Sequence, residues 1–293
     1  MLRRQLAIQL KTPAQIDKMR AAGLVVAAAL AKMSEAVAPG VSTADLDAIA
    51  ESVIRDAGAQ PSFKGYHGFP ASICSSVNEQ IVHAIPSPQQ VLRDGDVISI
   101  DCGAVLDGWH GDAAVTVPVG EVRPEVLRMA EVAEDAMWAG IAAAARGAAS
   151  GRGRLTDISY AVESTVRRAG RGRSQARDRA GSYGIVDGYG GHGIGTEMHQ
   201  DPHVLNHGRP GRGPRLVPGM ALAIEPMITL GSPRTVELDD GWTVVTRDRS
   251  IAVHVEHSIA LLSDGVWVLT APDGGRGRLG DLVTARASSS TPS

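Results

Sequence analysis

Apolar positions follow a helical period at the start of the chain. Over residues 12–37, Ile16, Met19, Ala22, Val26 and Leu30 fall on one face of a predicted helix. Thr12 can cap it, Pro13 suits its first position, Gln15 completes a capping box, and Pro39-Gly40 stops it. A second helix is predicted from Ser42 or Thr43 to about Ala57, with Leu46, Ile49 and Val53 in phase and Gly58 at its end. The period then shortens, and residues 71–76, 97–102, 105–109 and 113–119 read as strands, with a turn near 105–108. Helical spacing returns over 125–145 and 156–168, and further strand-like runs follow. Two helices, strands, two helices, strands: the order suggests an α/β fold built from one half repeated, with an internal pseudo-twofold.

Four acids and one histidine sit oddly in this pattern. Asp101 ends the run Val97-Ile98-Ser99-Ile100, and Asp112 lies in Trp109-His110-Gly111-Asp112. Glu225 closes Met220-Ala221-Leu222-Ala223-Ile224 before Pro226, and Glu256 interrupts a β-branched run at 251–259. His192 lies among Gly190, Gly191, Gly193 and Gly195, where the backbone must bend or approach something closely. A carboxylate inside an apolar strand is costly unless paired. Each acid alone has a structural reading, such as a turn cap. Together, two in each half, they point to a shared centre where divalent cations neutralise them. One imidazole among oxygen ligands favours hard or borderline ions over a thiolate-type site.

Composition narrows the picture without redirecting it. Hydrophobic residues make up 43 %, charged residues 21 % and aromatics 3 %, with 34 glycines and a formal charge of -3. The core must therefore be aliphatic, and nothing suggests a general nucleic-acid surface; DNA is not an expected partner. Two cysteines, Cys74 and Cys102, make no disulfide framework. The first twenty residues lack a signal-peptide pattern and no run is long enough for a membrane span, so a cytoplasmic, membrane-free protein is expected. Basic glycine-rich stretches at 170–181 and 208–215 read as solvated loops. Residues 1–11 are expected to form an N-terminal arm, 12–274 the catalytic domain, and 275–293 a disordered tail.

Five motifs in order then carry a resemblance: NEQIVHAIP at 78–86, DGDVISIDCGAVLDGWHGDAAVTVPVG at 94–120, GHGIGTEMHQDP at 191–202, PGMALAIEPM at 218–227 and DGWTVVTRDRSIAVHVEHSIAL at 240–261. Over 12–270 the chain resembles the bacterial type I methionine aminopeptidases, metallopeptidases of the pita-bread fold, in which helices cover a central antiparallel sheet. The resemblance implies two divalent ions, cobalt, manganese or iron. Asp101 and Asp112 would chelate one and bridge, Glu256 would be the other bridge, and His192 and Glu225 would complete the second position. It further implies Glu225 as proton shuttle, His83 at the substrate amine or scissile amide, and His199 at the carbonyl oxygen. A methionine pocket maps onto Phe63, Tyr66, Phe69, Cys74, Met198 and Trp242, with His67 at its mouth. The implied partners are nascent polypeptide N-termini, met by a monomer that associates transiently with the ribosome.

His254 and Val255 depart from the glutamine and aromatic usual before the bridging glutamate, and 170–181 is an insertion. No zinc-binding cysteines precede the domain and no large insert separates the His192 and Glu225 motifs, which argues against the type II enzymes. One rival reading is a proline-directed peptidase of the same fold, such as a prolidase or Xaa-Pro aminopeptidase. The short chain is expected to be without their usual N-terminal domain, and GHGIGTEMHQDP at 191–202 fits the methionine enzymes better. The other is a non-catalytic pita-bread protein using its basic loops to bind a partner, which metal-dependent turnover would exclude.

Overall fold

A computed structural model describes residues 8–171 and 183–288. The first half contributes helices α1 (Pro13–Ala36) and α2 (Thr43–Asp56), then strands β1 (Gln60–Pro61), β2 (Ile73–Val77), β3 (Gln80–Val82), β4 (Val97–Leu106) and β5 (Trp109–Pro118). The second half opens with α3 (Pro124–Ala149) and α4 (Leu155–Arg171), followed by β6 (Gly184–Ile185), β7 (Gly191–Gly193), β8 (Gln200–Val204), β9 (Ala221–Ile224) and β10 (Met227–Thr229). It closes with β11 (Thr235–Glu237), β12 (Val244–Thr246), β13 (Ala252–His254), β14 (Glu256–Leu262), β15 (Gly265–Val268) and the short α5 (Arg276–Leu279).

The main antiparallel sheet runs β1-β4-β5-β14-β9-β7-β8, with β2 added on β4 and β15 on β14. The two halves meet where β5 pairs β14. Outside that seam lie β4 in one half and β9 in the other, so the order is mirrored about the centre. A buried cluster under α1 and α2 holds Leu30, Leu46, Ile54, Ile98 and Ile100. A second under α3 and α4 holds Met129, Ile141, Val162, Leu222 and Ile259. A smaller sheet, β13-β10-β6, continues from the far half.

The helix starts follow the sequence logic. Thr12 N–H donates to Gln15 Oε1 at 2.9 Å and Gln15 N–H to Thr12 Oγ1 at 3.4 Å, a complete capping box. Ser42 and Asp45 repeat it at α2. Arg20, buried on α1, donates to the carbonyls of Val268, Leu269, Ala271 and Pro272, tying the first helix to the end of the chain.

Two expectations change. Residues 105–109 do not form a separate strand: β4 runs unbroken to Leu106 and the turn is Asp107-Gly108, both with positive φ (50° and 77°), the geometry of a two-residue hairpin turn. The segment from 275 was expected to be disordered, yet it is structured to 288. Val283 bridges to Val266, Thr284 Oγ1 donates to Asp264, and Arg286 pairs with Asp17 on α1. Local contacts anchor what composition alone would leave loose. Of the arm, residues 8–11 are described: Gln9 Nε2 donates to Thr196 Oγ1 on the β7–β8 connection at 3.2 Å, and Lys11 N–H to Gly219 O just before β9 at 2.7 Å. Of the basic stretch at 170–181, all beyond Arg171 lies outside the described residues.

Candidate metal centre

Strand register assembles the acids. Cys74 on β2 faces Asp101 on β4, Asp101 faces Ala114 on β5, and Ala114 faces Glu256 on β14. Residues directly opposite share a face, so these four form one row across four strands. Asp112, two positions before Ala114, joins them. Ala114 contributes only a methyl group between Asp101 and Glu256, which leaves room above it. Along β4 the pattern alternates: Ile98, Ile100, Cys102 and Ala104 enter the core beneath the helices. Ser99, Asp101 and Gly103 therefore turn to the other face. The acid that looked misplaced in an apolar run stands in phase with the pleat.

His192 arrives on β7, threaded between β8 and β9. The flanking glycines are dictated by this squeeze: a side chain on Gly191 would strike Ala223 O, and one on Gly193 would strike Asp201 O. His192 Nδ1 lies 3.0 Å from Gly193 O. A carbonyl only accepts, so Nδ1 carries the proton and Nε2 offers its lone pair. That Nε2 is 3.6 Å from Glu225 Oε1. Glu225 is fixed in turn, because Asn206 Nδ2 donates to its backbone carbonyl at 3.0 Å. Asp112 N–H donates to Ser258 Oγ at 3.2 Å, and that hydroxyl donates back to Asp112 O at 2.7 Å, locking β5 to β14 beside the acids.

Buried polar atoms test whether this cluster suits a cation. Asp101 Oδ1, Asp112 Oδ1, Glu256 Oε1 and His254 Nε2 are all buried without a hydrogen-bond partner. Such atoms are expensive to leave unmatched. Burial first, then the neighbouring carboxylates, push Asp112 and Glu256 well above the usual carboxylate range. Asp101 is raised to about 7, mainly by burial. Glu225 moves the other way: burial raises it, but His254 and His192 outweigh that and hold it ionised. Ligand atoms of Asp112, His192 and Glu256 lie within 4.8 Å of one another, as do those of Glu225, His254 and Glu256. Oxygen donors with imidazole nitrogen, crowded and unneutralised, fit divalent cations.

Beside the row opens a cavity of about 140 Å³. Phe63, Tyr66, Phe69, Cys74, Met198 and Trp242 form its apolar wall, while His83, His199 and the acids line the remainder. Phe69 and Trp242 pack edge to face at 5.0 Å. Since Cys74 is the cross-strand neighbour of Asp101, pocket and acids are held in register. His199 stacks edge-on against His192 at 4.4 Å, and its Nδ1 lies 2.9 Å from Tyr66 Oη. One edge of His199 is open to solvent, yet loss of water around the ring, then the His192 imidazole, lower its pKa to about 4. Burial likewise lowers His83. Both rings are therefore neutral near pH 7. His67 does not line the cavity. It is exposed in a tight turn at φ 47°, its ring edge-on to that of Tyr66 at 4.4 Å.

Several residues escaped the sequence reading. A wider groove of about 680 Å³ leads to the site past Gln9, Tyr189, Glu197, Asp201 and His203. Tyr189 meets the His83 ring at 5.7 Å. Asn206 and Ser258 hold the Glu225 and Asp112 backbone through their side chains, and their flanking residues give no signal of it. His110 followed the alternation rule, two positions before Asp112, and its Nδ1 meets Ser62 Oγ at 3.0 Å.

The description metallopeptidase family M24 matches residues 17–262. Methionine aminopeptidase 1 of Mycobacterium tuberculosis is 53 % identical over 270 residues, covering 92 % of this chain and 97 % of its own. Methionine aminopeptidase 1 of Bacillus subtilis is 44 % identical over 260 residues, covering 89 % and 98 %. Among solved structures, methionine aminopeptidase from Thermotoga maritima superposes with a TM-score of 0.82 at 37 % identity, over 90 % of this chain and 99 % of that one.

Proposed function

The chain belongs to metallopeptidase family M24, and from that premise we propose how its residues perform metal-dependent removal of the N-terminal methionine from polypeptides. The observation that carries the reading is the apolar pocket sharing one sheet row with unneutralised acids. Asp101, Asp112, His192, Glu225 and Glu256 would hold two divalent ions, with cobalt, manganese and iron the candidates. Bound there, such ions supply Lewis acidity and an activated water at neutral pH.

The chain's own residues do the rest. Aromatic walls with the sulfurs of Cys74 and Met198 suit a thioether side chain. Glu225, held ionised, accepts the proton of the attacking water and passes it to the leaving amine. His199 is neutral; with Tyr66 O–H donating to Nδ1, its Nε2–H is left to donate to the carbonyl oxygen as charge develops. His83, also neutral, orients the scissile amide. The next substrate residue must lie against the acids and His199, which favours a small side chain, and the rest of the peptide follows the groove past Tyr189.

We further propose that the substrates are nascent chains, met by a cytoplasmic monomer at the ribosome. A cleft lined by Arg146, Arg167, Arg168, Arg171 and Arg209, which outnumber its two acids, Asp157 and Glu163, supports contact with ribosomal RNA. Among the described residues no helix is long and apolar enough to cross a membrane. The test is hydrolysis of Met-Ala-Ser against Met-Lys and Ala-Pro peptides. Methionine release before alanine, lost on chelation and restored by metal, is expected. Cleavage only before proline would move the chain to the proline-directed peptidases.

A further inference from the structure

His254 is the one buried imidazole beside the acids that the mechanism above leaves unused. It is 2 % exposed. Its backbone is clamped on both sides: its N–H donates to Ser99 Oγ at 3.0 Å, and its carbonyl accepts from Thr116 Oγ1 at 2.8 Å. The main chain that carries the ring is therefore fixed. Its Nε2 has no hydrogen-bond partner, and the polar atoms nearest it are Glu225 Oε2 at 3.5 Å and Glu256 Oε2 at 4.0 Å. Both are too far for a good hydrogen bond. They are the right distance for something between them: cation–ligand bonds of about 2.1 Å set neighbouring ligand atoms about 3 to 4 Å apart.

Topology explains the convergence. The chain leaves the central sheet for the small sheet at two adjacent points. One is between β9 and β10, at Glu225; the other is between β13 and β14, at Val255. Met227 pairs with His254 and Ile224 with His257, so the two breaks lie side by side. Breaking β13 from β14 lets His254 and Glu256 reach the same space as Glu225. Glu225 in turn stands between two imidazoles, Oε1 toward His192 and Oε2 toward His254.

We propose that His254 is itself a metal ligand through Nε2, giving the centre a second imidazole nitrogen shared with Glu225 and Glu256. This rests on the metal-centre reading above. A centre with two nitrogens binds cobalt and zinc more tightly relative to manganese than a one-nitrogen centre does.

The test is proton NMR of the full-length protein loaded with Co(II), counting hyperfine-shifted imidazole N–H signals that vanish in D₂O, with Co(II) and Mn(II) affinities measured by calorimetry. Two such signals are expected, falling to one in His254→Gln, which keeps a hydrogen-bond donor but no imidazole. Co(II) affinity in that variant is expected to fall at least about tenfold, and Mn(II) affinity less. One signal in the unaltered protein, unchanged by His254→Gln, would overturn the proposal while leaving the metal centre standing. Failure to bind Co(II) at all would overturn both. Should His254→Gln not fold, the signal count in the unaltered protein still decides.

Discussion

At the scale of single residues, the site depends on which protons are kept and which are given up. His199 is neutral because burial and His192 hold its pKa near 4. On the proposed mechanism, its replacement by alanine removes a donor that matters chiefly as charge develops on the carbonyl oxygen. We expect kcat to fall about 10²–10³-fold with KM little changed, read from steady-state kinetics on a Met-Ala peptide. On the same mechanism Glu225→Gln removes the proposed proton acceptor and should lower kcat about 10²–10⁴-fold. The clustering acids were legible because a carboxylate in an apolar run has few structural excuses, and the alternation in Ile98-Ser99-Ile100-Asp101 supplied the face. His254 was legible only as a departure from a pattern. Its approach to Glu225 depends on two strand breaks lying side by side, which no local sequence signal encodes.

At the scale of elements, strand register is what converts spaced acids into a centre. Ala114 lies between Asp101 and Glu256 in the row, and its small size keeps the space open. Ala114→Val should crowd that space. We expect metal affinity to drop by at least about tenfold, measured by calorimetry, with circular dichroism of the metal-free protein unchanged. Helices α1 and α2 are legible almost to the residue, the first from its capping box at Thr12, whereas α3 and α4 run on to Ala149 and Arg171, past the expected ends at 145 and 168. The β4–β5 hairpin was read with its turn too early. Val105 and Leu106 still pair with His110 and Trp109, and only Asp107-Gly108 adopts the left-handed backbone that a two-residue turn needs. Asp-Gly is itself a local signal for such a turn, so the true position was legible in the sequence.

At the scale of the whole molecule, the end of the chain holds the beginning in place. Arg20 on α1 joins four carbonyls at 268–272, and Arg286 pairs with Asp17. Arg20→Ala would leave buried carbonyls unmatched and should cost about 3 kcal/mol, read from urea unfolding. The ordered segment to 288 could not be read from its Gly, Arg and Ser content, because its anchors, Asp264 and Asp17, lie far away in the sequence. Stability also couples to the centre. In the metal-free fold Asp101, Asp112 and Glu256 hold protons that the unfolded chain releases. Their contribution is full below about pH 4, and for Asp101 it is lost as pH rises through about 7. Divalent cations replace those protons, so the gain in Tm on adding metal should be larger at pH 8 than at pH 6, measured by scanning calorimetry. The most direct test of the account is to titrate the metal-free protein with Mn(II) or Co(II) while following occupancy and methionine release from Met-Ala-Ser together. Activity rising with occupancy, and saturating at two ions per chain, is what the account predicts; full activity in chelator, or a fully loaded protein that releases no methionine, would contradict it.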